Sequence, residues 1–435
     1  MNLIKKKLFQ QTLKQLANLQ LAISLLFIIG ILIALGTLIE QDQTLSFYKE
    51  NYPEINPILG FISWKFITYL QLNQVYTSYC FVVLLAFFGA TLIACTFTTQ
   101  LPSLKQFRLW RFIKDNKRLT NFKLKTNFPR FATNGVLYYL NKKNYHTFRQ
   151  GEQTYAYSGL LGRFAPIIVH FSILILLLGS TIGSLSGYTA QEVIPRGEIF
   201  HVQNLIKSGT FGNVPQNFAW RVNDFWITYT KEFKINQFYS DLSLLDKDGS
   251  EIKRKTIFVN EPFVYRGLTL YQTDWSILGV KFKFDNDKVI QVPLKKISKQ
   301  GRNFWFGTIP SRNDDTNKLS IVINDLRGNI FIYDAKGKLI KDCLIGEKFF
   351  IDSSSSIELN DFITSTGLQI KIDPGIKTVY FSFFLLILST YVSFISYSQV
   401  WGIEDKNILS LAGKSNRAVL YFQEEFRKIK VRVKN

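Results

Sequence analysis

Phe164–Gly183 reads FAPIIVHFSILILLLGSTIG, 20 residues with no acid, lysine or arginine and with a single histidine, His170, inside it. As a helix rising about 1.5 Å per residue, such a run crosses a hydrocarbon core of about 30 Å. A polar side chain at that depth is costly. It faces protein, and marks the route of a proton, an ion or a cofactor. The alternative is a neutral imidazole hydrogen-bonded to a neighbouring helix as packing.

Three further stretches share this texture: Leu19–Ile39, Tyr79–Phe97 and Val379–Tyr397. The chain of 435 residues is 47% hydrophobic, and its apolar residues are gathered into these runs instead of recurring periodically. The expected fold is therefore an α-helical polytopic membrane protein with four transmembrane helices and a large β-rich extramembrane domain between the third and fourth. The divisions read from the sequence are residues 1–98 (two spans and a short outer loop), 99–163 (a basic loop with a small folded unit), 164–187 (third span), 188–375 (β-rich domain) and 376–435 (fourth span and tail).

The formal charge of +21 is unevenly spread. The segment before the first span carries +4, the loop between the second and third +11, and the tail +4, whereas the two intervening segments together carry +2. By the positive-inside rule both termini and the middle loop face the cytoplasm-like side, and residues 188–375 face outward. Because the cations flank spans, anionic lipid headgroups and not nucleic acid are their expected counter-charge. MNLIKKK precedes an apolar run too long for a signal-peptide core and lacks a small-residue cleavage pattern, so it reads as an uncleaved anchor. The lysine, asparagine, isoleucine and phenylalanine bias points to an AT-rich genome such as a plastid's.

Within the segments, Ile55, Ile58, Leu59, Ile62, Phe66 and Tyr69 fall at helical spacing and suggest an amphipathic helix lying along the membrane or against the outer domain. Ala132–Leu140 reads as a short helix, and Tyr145–Arg149 with Thr154–Ser158 as a hairpin about Gly151-Glu152. Val222–Thr230, Ile235–Leu245, Val280–Phe284 and Leu319–Asn324 read as strands of one sandwich-like domain.

No catalytic set emerges. His146 and His201 have no second histidine or carboxylate at metal-ligand spacing, so a zinc site is not expected. Cys80, Cys95 and Cys343 form neither C-x-x-C nor C-x-x-C-H, which excludes a dithiol oxidoreductase and a c-type cytochrome by motif. Cys80 and Cys343 fall on one side of the expected topology and could pair, or stand as isolated thiols. His170 lies seven residues beyond Arg163, roughly 10 Å above the inner rim. Neutral imidazole is a common haem-iron ligand, and a rim arginine can pair with a carboxylate such as a haem propionate or simply anchor the span.

Four ordered stretches carry a resemblance. They are LANLQLAISLLFIIGILIALGTLIEQ (Leu16–Gln41), GLLGRFAPIIVHFSILILLLGSTIGSLSG (Gly159–Gly187), VNEPFVYRGLTLYQTDW (Val259–Trp275) and GLQIKIDPGIKTVYFSFFLLILSTYVSFISYSQVW (Gly367–Trp401) with SNRAVLYFQEE at Ser415–Glu425. The chain resembles the ResB/CcsB family of system II cytochrome c biogenesis, its fourth stretch the plastid and cyanobacterial branch. The resemblance implies a thylakoid membrane protein that works with a CcsA-type membrane partner. The pair carries haem to the lumenal side and attaches it to apocytochromes c, such as cytochrome f and lumenal c-type carriers. It implies His170 as a transient haem ligand, with Arg163 at the rim and Asp42, just outside the first span, as a further candidate. The tryptophan-rich haem-handling motif of the partner is not in this sequence, so the resemblance implies a subunit of a haem lyase whose attachment chemistry sits on the partner. The competing classes are a membrane scaffold or assembly factor that never touches haem, and a receptor sensing through its outer domain.

Overall fold

The computed structural model describes residues 2–434 apart from 108–111, 216–217, 233, 285–287, 300–301, 310–318 and 353–354. The chain divides into two compact units, Met1–Gly179 with Lys377–Asn435, and Ser180–Ile376.

Among the described residues four helices are long and apolar enough to cross a membrane: Leu19–Leu38, Tyr79–Lys105, Ala165–Ser186 and Ile376–Ser393. Their starts follow local chemistry. Asn18 and Ser78 accept from the amides of Gln20 and Phe81 and so cap the first two, and Pro166 stands in the first turn of the third, where a missing N–H costs nothing. The fourth helix stops at Ser393, four residues before the expected end. Arg417 caps it by donating to the Ser393 carbonyl and hydroxyl, and Asn416 accepts from the Tyr397 amide at 2.8 Å, so the chain is drawn out of the helix into a strand.

Leu25, Ile29, Phe81, Phe88 and Leu92 form the core of the helical layer, with Ile173, Leu174 and Leu177 of the third helix packed on it. His170 lies four and seven residues before Leu174 and Leu177, on the face turned to the second helix. A different face carries Ala165, Ser172 and Gly179, all buried and seven apart. Gly179 meets Thr378 and Val379 of the fourth helix so closely that an added Cβ would sit 3.1 Å from each. Small residues permit this approach where lipid supplies no hydrophobic drive.

The loop after the first helix is not the amphipathic helix that the spacing suggested. Of the stretch 55–69, only Trp64–Tyr69 is helical. Pro57, with Leu59 and Gly60 at positive φ, folds Ile58 back on Ile62 and breaks the periodicity. The Gly-Thr-x-Ile-Glu-Gln exit fastens this loop. Tyr76 packs where a Cβ on Gly36 would stand 2.9 Å from its ring, Gln41 donates to Leu72 O and accepts from Val75 N, and Glu40 accepts from the Tyr52 hydroxyl at 2.6 Å.

The middle loop contains the expected helix, Thr133–Lys142, and hairpin, His146–Gln150 with Gln153–Ser158. Its sheet has five strands, ordered Leu124–Pro129, Ile408–Ser415, Ser398–Asp405, Gln153–Ser158, His146–Gln150. The two tail strands thus lie between strands of the middle loop, with Trp401 opposite Tyr155 and Leu411 opposite Thr126. Middle loop and tail therefore stand on one side of the membrane. Phe422, Phe426 and Ile429 of the last helix join Val136, Tyr139 and Leu140 over one face, and Leu119, Tyr155, Trp401 and Ala412 form the core of the other.

Between the third and fourth helices the described residues of the β-rich unit form three sheets and two cores instead of the single sandwich anticipated. A long antiparallel ribbon, Leu268–Phe284 against Ser355–Ile372, serves both. Leu268, Leu270, Leu368 and Ile370 enter one core, and Ile277, Val280, Phe282, Ile357 and Leu359 the other. Between them the register slips at Gln272/Asp274 and Ile277/Gly279, and such bulges bend and twist a ribbon. The buried slip is satisfied by Thr366, which lies 2.8 Å from Ser240 and donates to Gln272 at 3.0 Å. Here VNEPFVYRGLTLYQTDW has a structural reading: Arg266 and Gly267, both at positive φ, make the tight turn, and Gln272 supplies the network.

Candidate haem-binding site in the membrane helices

His170 is half-buried in the third helix and touches the second through both ring nitrogens. Its Nδ1 lies 3.1 Å from Thr96 Oγ1 and its Nε2 lies 3.1 Å from Gln100 Nε2. Thr96 spends its only proton on Leu92 O at 2.8 Å. It can therefore only accept from the imidazole, which puts the ring proton on Nδ1. Nε2 is then a lone pair receiving a Gln100 N–H. This is the neutral tautomer that can bind a metal, with the orienting bond behind it that histidine ligands usually have.

Thr96 and Gln100 bound a π-helical turn, Thr96–Gln100, inserted in the long second helix. Such wide turns are rare and cluster at functional sites. Gln100 Oε1 is buried without a hydrogen-bond partner among the described residues, a cost of about 1–3 kcal/mol. The sequence expectation ended the second span at Phe97, which left Gln100 outside it, and singled out neither residue for the site. The available signal was the polar run Thr96, Thr98, Thr99, Gln100 closing an otherwise apolar helix.

Arg163 stands just before the third helix, in the turn Leu160–Arg163. Two glycines make this turn possible. A Cβ on Gly159, which has φ +74°, would lie 2.1 Å from Ser396 O, and one on Gly162 would lie 2.0 Å from Ile395 O. The start of the third helix and the end of the fourth are thereby locked backbone to backbone, and the Arg163 guanidinium sits over the Tyr397 ring, 5.0 Å from its centroid. Burial pushes the Arg163 guanidinium below its usual value, Tyr397 opposes this, and the nearby Arg417 adds to it. Arg417, which the sequence did not single out, makes this rim a pair of cations.

Asp42 is not part of this group. It belongs to the loop at the other end of the first span, in the left-handed region at φ +57°, with its amide donating to Asn73 O at 3.0 Å. His146 lies in the hairpin against Tyr157, and His201 is exposed in the β-rich unit. Among the described residues no three histidines, cysteines or carboxylates gather as a metal cluster, and Cys80, Cys95 and Cys343 are all free.

The ResB-like family model matches residues 19–304 and 288–427, nearly the whole chain. The chain belongs to the ResB-like family. The ResB-like chain is 58% identical over 416 residues to the cytochrome c biogenesis protein Ccs1 of Emiliania huxleyi, covering 96% of this chain and 94% of the other. It is 44% identical to Ccs1 of Porphyra purpurea over 98% and 97% of the two chains, and 41% identical to the cytochrome c biogenesis protein CcsB of a Picosynechococcus strain over 98% and 92%.

Proposed function

We propose that the chain is the subunit of the system II cytochrome c biogenesis complex that receives haem at the inner side of the thylakoid membrane on His170 and passes it, with a CcsA-type partner, toward apocytochromes c on the lumenal side. Cytochrome c biogenesis is the function that near-full-length identity to Ccs1 and CcsB proteins carries. Haem as the cargo, the partner, the apocytochrome substrates and the role of each residue are our reading.

The observation that carries it is the state of His170. A neutral imidazole whose Nδ1–H donates to Thr96 Oγ1, and which presents Nε2 from a half-buried position, matches what an iron ligand requires. Haem is a flat apolar ring with two carboxylates, so its passage needs shielding from water, an iron ligand part-way and cations for the carboxylates. His170 supplies the ligand. Arg163, roughly 10 Å below it, and Arg417 supply the cations at the inner rim. A single histidine from this chain is a weak hold, suited to cargo that moves on, and the second axial position falls to the partner. The charge pattern supports the direction of this reading: middle loop and tail share one sheet and carry the positive excess, so we assign them to the stromal or cytoplasmic side and residues 188–375 to the lumen.

The experiment is the absorption spectrum of the complex purified from wild type and from His170→Ala. Wild type carries a Soret band that the variant loses and that added imidazole restores. A band indifferent to His170, or none in wild type, would leave a haem-free scaffold as the account. Tags in the middle loop and at the carboxy terminus should be shielded in sealed vesicles whose exposed face is lumenal, and a middle-loop tag reachable from that face would reverse the orientation.

A further inference from the structure

We infer that Gln100 is a displaceable cap on the metal-binding nitrogen of His170, and that Thr96 is the fixed partner that keeps that nitrogen unprotonated. Both are positioning residues, and the inference rests on the reading of His170 as an iron ligand.

The two contacts look alike in length but differ in kind. Thr96 is tied at its hydroxyl to Leu92 O and can only accept, so its bond to Nδ1 does not compete with anything that approaches Nε2. Gln100 sits on Nε2 itself, in the coordinate that a metal would take. Its amide is half-satisfied: one N–H is given to the imidazole, while the buried Oε1 has no hydrogen-bond partner. A glutamine that served only to fix the ring would be expected to satisfy both ends. One that leaves a buried acceptor bare gains by moving, because rotation lets it find a donor elsewhere. Gln100 is the last residue of the π turn, where the hydrogen-bond ladder departs from the regular helix. Loading then exchanges one modest hydrogen bond for a metal bond without exposing a bare imidazole to lipid, and unloading is assisted when the amide returns.

The test has one arm without haem. The chain has three histidines, so ring-15N labelling of the full chain with its partner in nanodiscs, with His170→Ala for assignment, reads the His170 tautomer directly. The expected result is the Nδ1–H form, lost in Thr96→Val. An Nε2–H ring in wild type would overturn the inference with no cargo present.

The second arm titrates ferric haem into the same preparations and follows the ligand-field signature of the iron. Gln100→Ala, and Gln100→Leu, which keeps the volume but removes the donor, should bind about fivefold tighter, the loss of one neutral hydrogen bond. Thr96→Val should bind about 10–100-fold weaker, as for other residues that orient a metal-bound histidine. If His170→Ala abolishes the histidine signature while both Gln100 variants bind like wild type or more weakly, the cap is refuted and the haem reading survives. If His170→Ala titrates like wild type, the haem reading itself fails.

Discussion

Arg149 Nη2 lies 2.8 Å from Glu404 Oε1, a contact between residues on opposite sides, in sequence, of the whole β-rich unit and two membrane helices. Glu404 is only 3% exposed and is also reached by Arg130 at 3.5 Å. Both arginines come from the middle loop and the carboxylate from the tail, so the pairs fasten the same two pieces that the five-stranded sheet interleaves.

Removing that carboxylate leaves two half-exposed guanidinium groups without the buried acceptor they share. Glu404→Ala should destabilise this domain by about 1.5–3 kcal/mol, the range for hydrogen bonds to charged groups. Glu404→Gln, which still accepts, should cost less. Protease resistance of the middle loop in detergent is the measurement, and equal resistance in all three proteins would contradict the assignment.

A stop codon after Tyr397 should be far more damaging than the position of the cut suggests. It would leave Gln153–Ser158 without one of its two neighbours, strand Leu124–Pro129 with no partner at all, and Tyr155 and Val136 uncovered. Pulse-chase labelling should show rapid loss of the truncated chain, while co-expression of residues 376–435 as a separate piece should restore part of its lifetime.

Glycines separate sharply by what surrounds them. Gly162→Ala must push a Cβ to 2.0 Å from Ile395 O and should prevent accumulation of the protein. Gly30→Ala meets no atom within 4 Å and should be neutral or slightly stabilising, since alanine favours helix by about 1 kcal/mol. Immunoblots of membranes from the two strains test the pair together.

Loss of acidity tolerance should begin in the loop after the first span. The Tyr52 hydroxyl, donating to Glu40, holds that carboxyl below its usual value. Folding therefore favours the ionised form: the stabilisation is complete above the unfolded value of about 4.5 and is lost as pH falls through the lower folded value. Burial, with Glu40 adding to it, raises the Tyr52 phenol to about 12, so its contribution holds below the ordinary value of 10 and disappears as pH rises through about 12. Cleavage within residues 40–77 by an acid-active protease should stay flat from pH 7 to 5 and rise below the carboxylate range, and Tyr52→Phe should flatten that rise.

Thiol chemistry gives a check on the β-rich unit. Cys343 is 1% exposed within a core of Trp305, Ile321 and Ile330, and burial raises its thiol above the usual value. Maleimide should label it only after denaturation, and Cys80, the second residue of the second span, is likewise a free thiol. Identical mobility on reducing and non-reducing gels is expected, and a disulfide-linked species would contradict two separate thiols.

Features set by composition over a short window were legible. Apolar runs of about 20 residues specify helices that cross lipid, alternation with turn residues specified the strands Ile235–Asp246 and Leu319–Ile323 to within a residue, and the hairpin about Gly151 was visible in its turn. His170 was conspicuous because an imidazole in lipid is expensive wherever the rest of the chain goes. Arg163 could be named, but its stacking on Tyr397 could not, since they are 234 residues apart.

What only the tertiary structure decided are relationships between distant segments. The tail strands that complete the inner sheet, the ribbon that serves two cores, and the π turn that brings Thr96 and Gln100 onto the imidazole depend on pairing and packing energies that a local pattern does not encode. The sequence by itself determined that a histidine would lie in an apolar span. Which of its two nitrogens is left to act was decided by a threonine 74 positions away whose one proton was already committed.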